Sequence, residues 1–556
     1  MLAKLREFIE SRTGFPGATI FKPVPGGARF LHVPGTVLLL VIALQFLTGF
    51  VIALHYAPSV TTAWASIVFF EDRIRAGWLV RGLHAWGASA IVLLALIHLV
   101  QVAWTGAYRK PRELNWMLGL ALLVLVLVFA HTGYLLPWDQ KGYWSTRVAT
   151  GIAGATPVVG TTLQRVAIGG EDQGNLTLSH FYAVHVILMP LLLLLVVGAH
   201  LTLFRRHGPT PPADVSDDAP AQSWFPYQTL RNLIGFGVVA ATMGYLAVRS
   251  HGAPLEAPAD PASDFQPRPE WYFLPLYQLL KGFPPGTEFV GSEVLPGLIL
   301  LALALLPWID RSPVRDAKKR LVPLLLVFVP LGGAVLMGSL SVMEDAGNKE
   351  LAAHRRAEAK DAALARRLFH EQGGIPAAGP LALLDRYPPR RGARLYDEHC
   401  GGCHGRNAKG PDLQGYLTQR WLEQVIREPG TLFKHDSMGQ TDAKPDELAA
   451  LAVYVASLDS SRATSLDAAR VAKGKALFDD KQCNSCHDVT KISPDDEGPS
   501  LAGYGTKEWL VALMKNPAVY FGDSKNKMPA FAGKLSEADL DAIAGHVRGL
   551  QSPSDE

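Results

Sequence analysis

The run LVRGLHAWGASAIVLLALIHLVQVAW sets His84 and His98 fourteen residues apart in an otherwise apolar stretch. A second run, HFYAVHVILMPLLLLLVVGAHLTLF, sets His185 and His200 fifteen apart. Ionisable side chains inside apolar runs of membrane length are costly and mark function. Fourteen residues carry an α-helix through nearly four turns, so both rings of a pair share one face about 21 Å apart. Side-by-side packing of the two runs sets His84 opposite His185 and His98 opposite His200. Each facing pair can then clamp one haem iron from both sides, giving two non-covalent haems b stacked across a bilayer. The extra residue between His185 and His200 calls for a local distortion, which Pro190 can supply. Gly35 and Gly49, and likewise Gly119 and Gly133, repeat the interval of fourteen in two further apolar runs. Lacking a Cβ, they let the flanking helices close on a porphyrin. His131 has no partner at this interval and reads as a structural hydrogen-bonding residue.

All four cysteines lie in two late motifs, CGGCH at Cys400 to His404 and CNSCH at Cys483 to His487. CxxCH is the attachment signature of haem c: the thiols form thioethers with the porphyrin, and the adjacent histidine ligates the iron. A zinc site or a redox dithiol accounts for CxxC but not for a histidine after both pairs. Cys400, Cys403, Cys483 and Cys486 are therefore expected to carry two haems c, with His404 and His487 as axial ligands. For the sixth position KNKMPAF offers Met528 to the second motif, whereas Met514 lies in a helical pattern and reads as core. HDSMGQ offers Met438 to the first motif, with His435 as a rival. No cysteine remains for an iron-sulfur cluster or a disulfide, so any such centre belongs to another chain.

The elements that must position these groups follow from composition. In 556 residues, 49% are hydrophobic and 19% charged, and the mean hydropathy of +0.14 points to a membrane part joined to a water-soluble part. The net charge of +3 comes without a polybasic tract, which gives no sign of nucleic acid as a partner. Seven apolar runs approach membrane-spanning length: about Val33 to Leu54, Val80 to Ala103, Trp116 to Leu136, Tyr182 to Phe204, Leu230 to Val248, Val294 to Ile309 and Leu324 to Leu340. The fold expected is all-α, a helical membrane bundle followed by two small cytochrome c domains. The divisions are 1–32, an amphipathic surface segment without a signal-peptide core; 33–226, the four-helix haem b part; 227–343, three further helices; 344–390, a charged helical spacer with no strong apolar stripe; and 391–460 and 468–550, the haem c domains. TGAYRKPREL, RRHG and DRSPVRDAKKR are short and basic, which places them and the amino terminus in the cytoplasm of a bacterium. An odd number of crossings then puts everything after Leu340 on the periplasmic side.

Across nearly all of residues 20 to 340 the chain resembles the cytochrome b subunit of quinol-oxidising cytochrome bc complexes, through LQFLTGF, GWLVRGLHAWGAS, KPREL, GYLLPWDQKGYW, the paired histidines and PEWYF at Pro269 to Phe273. KPREL, LPWDQ and the fifteen-residue interval are closest to the short cytochrome b of the photosynthetic complexes, here fused to the three-helix subunit that accompanies it. The tail resembles the dihaem cytochrome c that replaces a separate subunit in some bacterial complexes. The resemblance implies roles residue by residue. Glu270 is the outer-pocket carboxylate that hydrogen-bonds quinol and receives a proton, and Tyr272, Pro137, Trp138 and Tyr143 are other parts of that pocket. Arg81 pairs with a haem propionate, and Arg112 and Arg205 do likewise near the inner haem. Arg205, Arg206 and His207 stand near an inner quinone pocket, where a positive-inside anchor is an equal reading. The short forms carry a cysteine at the start of the first helix that ties an extra haem; RFLHVPG around Val33 has none, so no covalent third haem is expected.

The implied activity is quinol:cytochrome c oxidoreduction coupled to proton translocation. One electron from quinol goes to a Rieske iron-sulfur protein on a separate chain and on to the haems c. The other crosses the haems b to a quinone. A soluble or membrane cytochrome c or a terminal oxidase is the acceptor, and the complex is a homodimer in the membrane lipid. A non-branching quinol dehydrogenase that feeds haems b straight into haems c, and a membrane anchor whose haem c domains dock another oxidoreductase, are the other readings.

Overall fold

The structure, a computed structural model, describes residues 11, 23–211, 215, 220–312, 314–373, 376–405, 408–430, 441–492, 498–521 and 528–550. Most of the amino-terminal surface segment, together with His435 and Met438, lies outside the described residues. The chain divides into two compact units, Met1–Leu381 and Ala382–Glu556.

In the first unit the helices are α1 (Val33–Ala53), α2 (Ala63–Arg73), α3 (Gly77–Thr105), α4 (Glu113–Tyr134), α5 (Gln140–Gly154), α6 (Asn175–His207), α7 (Trp224–Arg249), α8 (Val290–Ile309), α9 (Leu321–Gly347) and α10 (Lys349–Glu371). Seven of these, α1, α3, α4, α6, α7, α8 and α9, are long and apolar enough to cross a membrane. Each coincides with one of the expected runs. The sixth reaches back to Val290 because a wide turn, Val290–Val294, precedes the regular helix at Leu295. α1 packs along α3, and α4 along α6. Val37, Val41, Val92, Val126, Leu193 and Met243 fill the centre between α1, α3, α4, α6 and α7. Tyr108, Trp116, Leu306 and Val327 tie the far ends of α3 and α4 to α8 and α9. There the fully buried pair Arg320 and Asp310, 3.4 Å apart, also engages the Tyr108 hydroxyl. Gly106 closes α3 with a φ of +63°, a conformation that suits glycine. A two-residue antiparallel ladder, β1 (Pro23–Val24) with β2 (Gln222–Ser223), pairs Pro23 with Ser223.

The segment expected to be a charged helical spacer is helical over Lys349–Glu371, and that helix is docked. α10 buries Leu351, Ala365 and Phe369. Arg366 pairs with both Glu71 and Asp72 of α2, and the imidazole of His370 lies 2.8 Å from Asp72. The apolar stripe is too sparse to read from sequence, since charge pairing does much of the holding.

The second unit contains α11 (Pro388–His399), α12 (Gln419–Arg427), α13 (Pro445–Ser457), α14 (Ala468–Asp480), α15 (Lys507–Lys515) and α16 (Glu537–Gly549). Its two halves repeat one plan. Thr418 and Thr506 cap α12 and α15 by accepting from the amides of Trp421 and Trp509. The indole Nε1 of Trp421 donates to the Asp412 carbonyl, and that of Trp509 to the Ser500 carbonyl. The halves do not close on themselves, however. α11 crosses α16, and α13 crosses α14. At each crossing a glycine allows backbone to touch backbone. A Cβ on Gly392 would stand 2.1 Å from the Ala542 carbonyl oxygen, and one on Gly474 would stand 2.1 Å from that of Ala450.

Candidate functional site

The four membrane histidines fall where the sequence interval requires. His84 and His98 lie on one face of α3, and His185 and His200 on α6. The surplus residue in α6 is absorbed by a single wide turn, Val184–Leu188, that contains His185. Pro190 follows at once; it has no amide hydrogen for the regular helical bond, so the distortion sits beside it. The rings of His84 and His185 face each other with centroids 6.4 Å apart and planes at 79°. A metal–imidazole bond of about 2 Å on each side, plus about 1.2 Å from nitrogen to ring centre, gives roughly 6.4 Å. The gap between His84 and His185 therefore has room for one metal ion between the two rings.

Hydrogen bonds settle which nitrogen is left for such an ion. Nδ1 of His84 is 3.0 Å from the Thr48 hydroxyl, which itself donates to the Leu44 carbonyl. Nδ1 of His185 is 3.1 Å from the Thr132 hydroxyl, which donates to the Phe129 carbonyl. With its hydrogen spent, each hydroxyl accepts from Nδ1–H. His98 Nδ1 faces Gln101 Oε1 at 2.7 Å and His200 Nδ1 faces the Asn115 carbonyl at 3.1 Å, both acceptors. Each imidazole is thereby the Nδ1–H tautomer with Nε2 available as a ligand.

The four glycines serve these rings one to one. A Cβ on Gly35 would stand 2.9 Å from His98 Cε1, on Gly49 2.9 Å from His84 Cε1, on Gly133 2.7 Å from His185 Cε1, and on Gly119 3.5 Å from His200 Cε1. The expectation that they make room for a porphyrin is thus narrowed: in this structure their space is taken by the ligand imidazoles. Alanine at Gly133, Gly49 or Gly35 is expected to push a ring off its axis and lower haem b per chain. Gly119→Ala, at ordinary contact distance, is expected to keep its haem; a haem assay on the four variants reads the ranking.

The cysteine motifs have the same internal logic. His404 Nδ1 donates to the Pro411 carbonyl at 3.0 Å and His487 Nδ1 to the Pro499 carbonyl at 2.8 Å. Burial holds His404 below the usual imidazole range, in the neutral form a metal needs. The same burial, with Cys403 adding to it, pushes the Cys400 thiol up to about 11, the reverse of what a redox dithiol needs. Met514 is buried core. Met528 packs against a cluster drawn from both halves of the unit, which contains Tyr396 and Cys400 as well as Trp509, Met514 and Phe531. Cys483 packs against Leu451, Tyr454, Phe478 and Leu501.

The PWDQ and PEWY segments meet. Trp138, at a φ of +52°, accepts from the Ala259 amide, and the Gln140 amide donates to the Ala257 carbonyl. The Gln140 side chain accepts from the Asp260 amide and donates to Ser263. This staples the turn holding Pro137 to the strand of chain that leads into Glu270. Tyr143 stacks edge-on against Trp138 at 5.5 Å. Lys141 Nζ donates to Glu270 Oε1 at 2.5 Å, each side chain about a third exposed. Tyr272 leans on the central core of the bundle, and burial with Glu270 nearby pushes its phenol up. His131, read from sequence as structural, bonds the Tyr134 hydroxyl at 3.1 Å and faces the rings of Phe181 and Phe273 at 6.1 and 6.0 Å, which puts an imidazole between the two motifs.

Arg81 is buried and committed to Glu71 and to the carbonyls of Ala253 and Pro254, so its first task is to staple α3 to α2 and to the chain after α7. Arg112 donates to the His207 and Gly208 carbonyls. Arg205 and Arg206 are exposed on the last turn of α6. At this end four buried polar atoms lack partners among the described residues: Arg112 Nε, Asn115 Oδ1, His207 Nδ1 and His32 Nε2. Such atoms call for a polar ligand, and a propionate or a quinone carbonyl has the chemistry to supply it.

Sequence reading missed Thr48, Thr132, Gln101, Asn115 and Lys141. The two threonines had a signal: each stands immediately before a haem-side glycine, in LTGF and HTGY.

Comparison with known proteins identifies the family. Residues 89–259 match the profile for cytochrome b(N-terminal)/b6/petB, and 258–354 that for cytochrome b(C-terminal)/b6/petD. Residues 388–455 and 469–547 match the cbb3-type cytochrome c oxidase subunit III profile. Cytochrome b of Allochromatium vinosum is 35% identical over 317 residues, 53% of this chain and 76% of that protein. The cytochrome bc complex cytochrome b subunit of Chlorobaculum thiosulfatiphilum is 35% identical over 318 residues, 55% of this chain and 72% of that protein. Among solved structures, a hyperthermophilic respiratory Complex III chain superposes with a TM-score of 0.54 at 26% identity, over 67% of this chain and 98% of that one.

Proposed function

Because the chain belongs to the cytochrome b family and carries a cytochrome c module behind it, we propose that it oxidises quinol at a pocket on the outer face of a bacterial cytoplasmic membrane and divides the two electrons between two routes. In this reading the His84/His185 and His98/His200 pairs hold two haems b, and the two CxxCH motifs hold two haems c. A Rieske iron-sulfur protein is a separate chain, a cytochrome c or terminal oxidase is the final acceptor, and the working complex is a homodimer. The amino terminus and the basic loops face the cytoplasm, and the haem c module faces the periplasm. Bound haem supplies one-electron carriage; the chain supplies ligation, orientation and control of protons.

The observation that carries the proposal is the outer imidazole pair, 6.4 Å apart with both Nδ1 atoms tied to threonines. Glu270 takes a proton from the bound quinol, in a pocket walled by Tyr272, Pro137, Trp138 and Tyr143. Its ion pair with Lys141 is partly exposed and worth no more than about 1 kcal/mol, weak enough to be exchanged for a quinol hydroxyl. The orphaned atoms of Arg112, Asn115 and His207 serve a haem propionate or quinone at the inner end, where Arg205 adds positive charge.

A pulse of oxidant distinguishes this from a linear chain. With the inner quinone site blocked and quinol present, oxidant given to the purified complex is expected to drive further reduction of the haems b, because the two electrons must leave together. Simple oxidation of the haems b on the same pulse contradicts the branched route.

A further inference from the structure

The second unit is built by exchange between its halves. α11 leads into the first CxxCH motif, but it packs on α16, the last helix of the chain. Arg391 pairs with Asp539 at 2.6 Å, Tyr396 stacks on His546 at 5.1 Å, and His399 faces Phe531 at 6.3 Å. α14 leads into the second motif and packs on α13, where Tyr454 meets Phe478 at 5.3 Å. Lys481, two residues before Cys483, pairs with Asp442 at 2.9 Å and also reaches Glu447 at the start of α13.

The chain crosses over at matching places: Tyr416 lies 6.1 Å from Tyr504, and a Cβ on Gly505 would stand 2.4 Å from Leu417. Locality favours this arrangement. The link from Leu458 to Asp467 is short, so α13 and α14 are neighbours in sequence and meet first. That leaves α11 and α16 to close the other lobe.

We propose that Met528 is the sixth ligand of the haem c bound at Cys400, Cys403 and His404, and not of the nearer motif in sequence. It stands three residues before Phe531, which faces His399, and it packs against the core that holds Cys400. This assignment rests on both motifs carrying haem c.

The test uses the full-length chain. In the Cys483→Ser/Cys486→Ser variant, which retains the first haem c, adding Met528→Ala is expected to turn that haem from low-spin to high-spin in the ferric state. In the Cys400→Ser/Cys403→Ser variant the same change is expected to leave the remaining haem c low-spin. The opposite pattern, or no change in either, overturns the assignment. Pyridine haemochrome analysis of each variant reports covalent attachment by itself, so a failure of the haem c reading shows as missing c-type haem and not as a spin state.

A double-mutant cycle in the otherwise native chain tests the exchange without removing a haem. Arg391→Glu and Asp539→Arg are expected to lower the melting temperature singly, and together by clearly less than the sum of the two losses. Strict additivity contradicts the pairing of α11 with α16.

Discussion

A His84→Ala chain is expected to lose the outer b-type haem and, with it, quinol-dependent turnover. Facing rings 6.4 Å apart leave space for one iron bonded to both, so removing one ring leaves a single axial bond. The Thr48 hydroxyl, which orients the ring, is then left facing an empty site. Loss of a partner such as Thr48 alone typically costs 10–100-fold in metal affinity or activity; loss of the ligand itself should exceed about 100-fold. The reduced-minus-oxidised spectrum is expected to fall to about half its b-type amplitude, while the c-type bands stay. His98→Ala is expected to remove the other half. Full b-type amplitude in either variant contradicts the assignment of that pair.

Glu270→Gln is expected to lower quinol oxidation by about 10²–10⁴-fold, the usual range for a positioned proton acceptor, with haem content unchanged. Glutamine keeps the shape but cannot take the proton. The charged groups around Glu270 are few: Lys141 bonds it directly, the Tyr134 and Tyr272 phenols lie nearby, and beyond Lys141 stand Asp139 and Glu256. Lys141→Met, which removes the bond to Glu270, is expected to lower the rate by far less than Glu270→Gln does, and Lys141→Arg to restore it. Steady-state rates read both; identical rates for the native and Lys141→Met chains contradict a role for the pair.

The histidine interval, the glycine interval and CxxCH were legible because chemistry forces them into sequence: iron needs two imidazoles at one depth, and haem c needs thiols and a ligand on one turn. The seven spans were legible because a bilayer sets their length. The docking of α10 was not, since Arg366 and His370 find Glu71 and Asp72 across nearly three hundred residues and leave almost no apolar pattern. Nor was the exchange in the second unit. Gly392 and Gly474 mark a close helix crossing in each half, yet a crossing glycine does not say which helix it meets. Sequence order suggested the nearest, and packing chose otherwise. Lys141 was hidden for a related reason: it lies inside a quoted motif, but only the fold brings Glu270 to it.

In the proposed function, two buried imidazole couples would each hold one haem b, and all electron traffic across the membrane depends on them. Haem stoichiometry of the purified full-length protein tests this most directly. Pyridine haemochrome analysis is expected to return two b-type and two c-type haems per chain. A single b-type haem, or none, contradicts the account whatever the quinol activity.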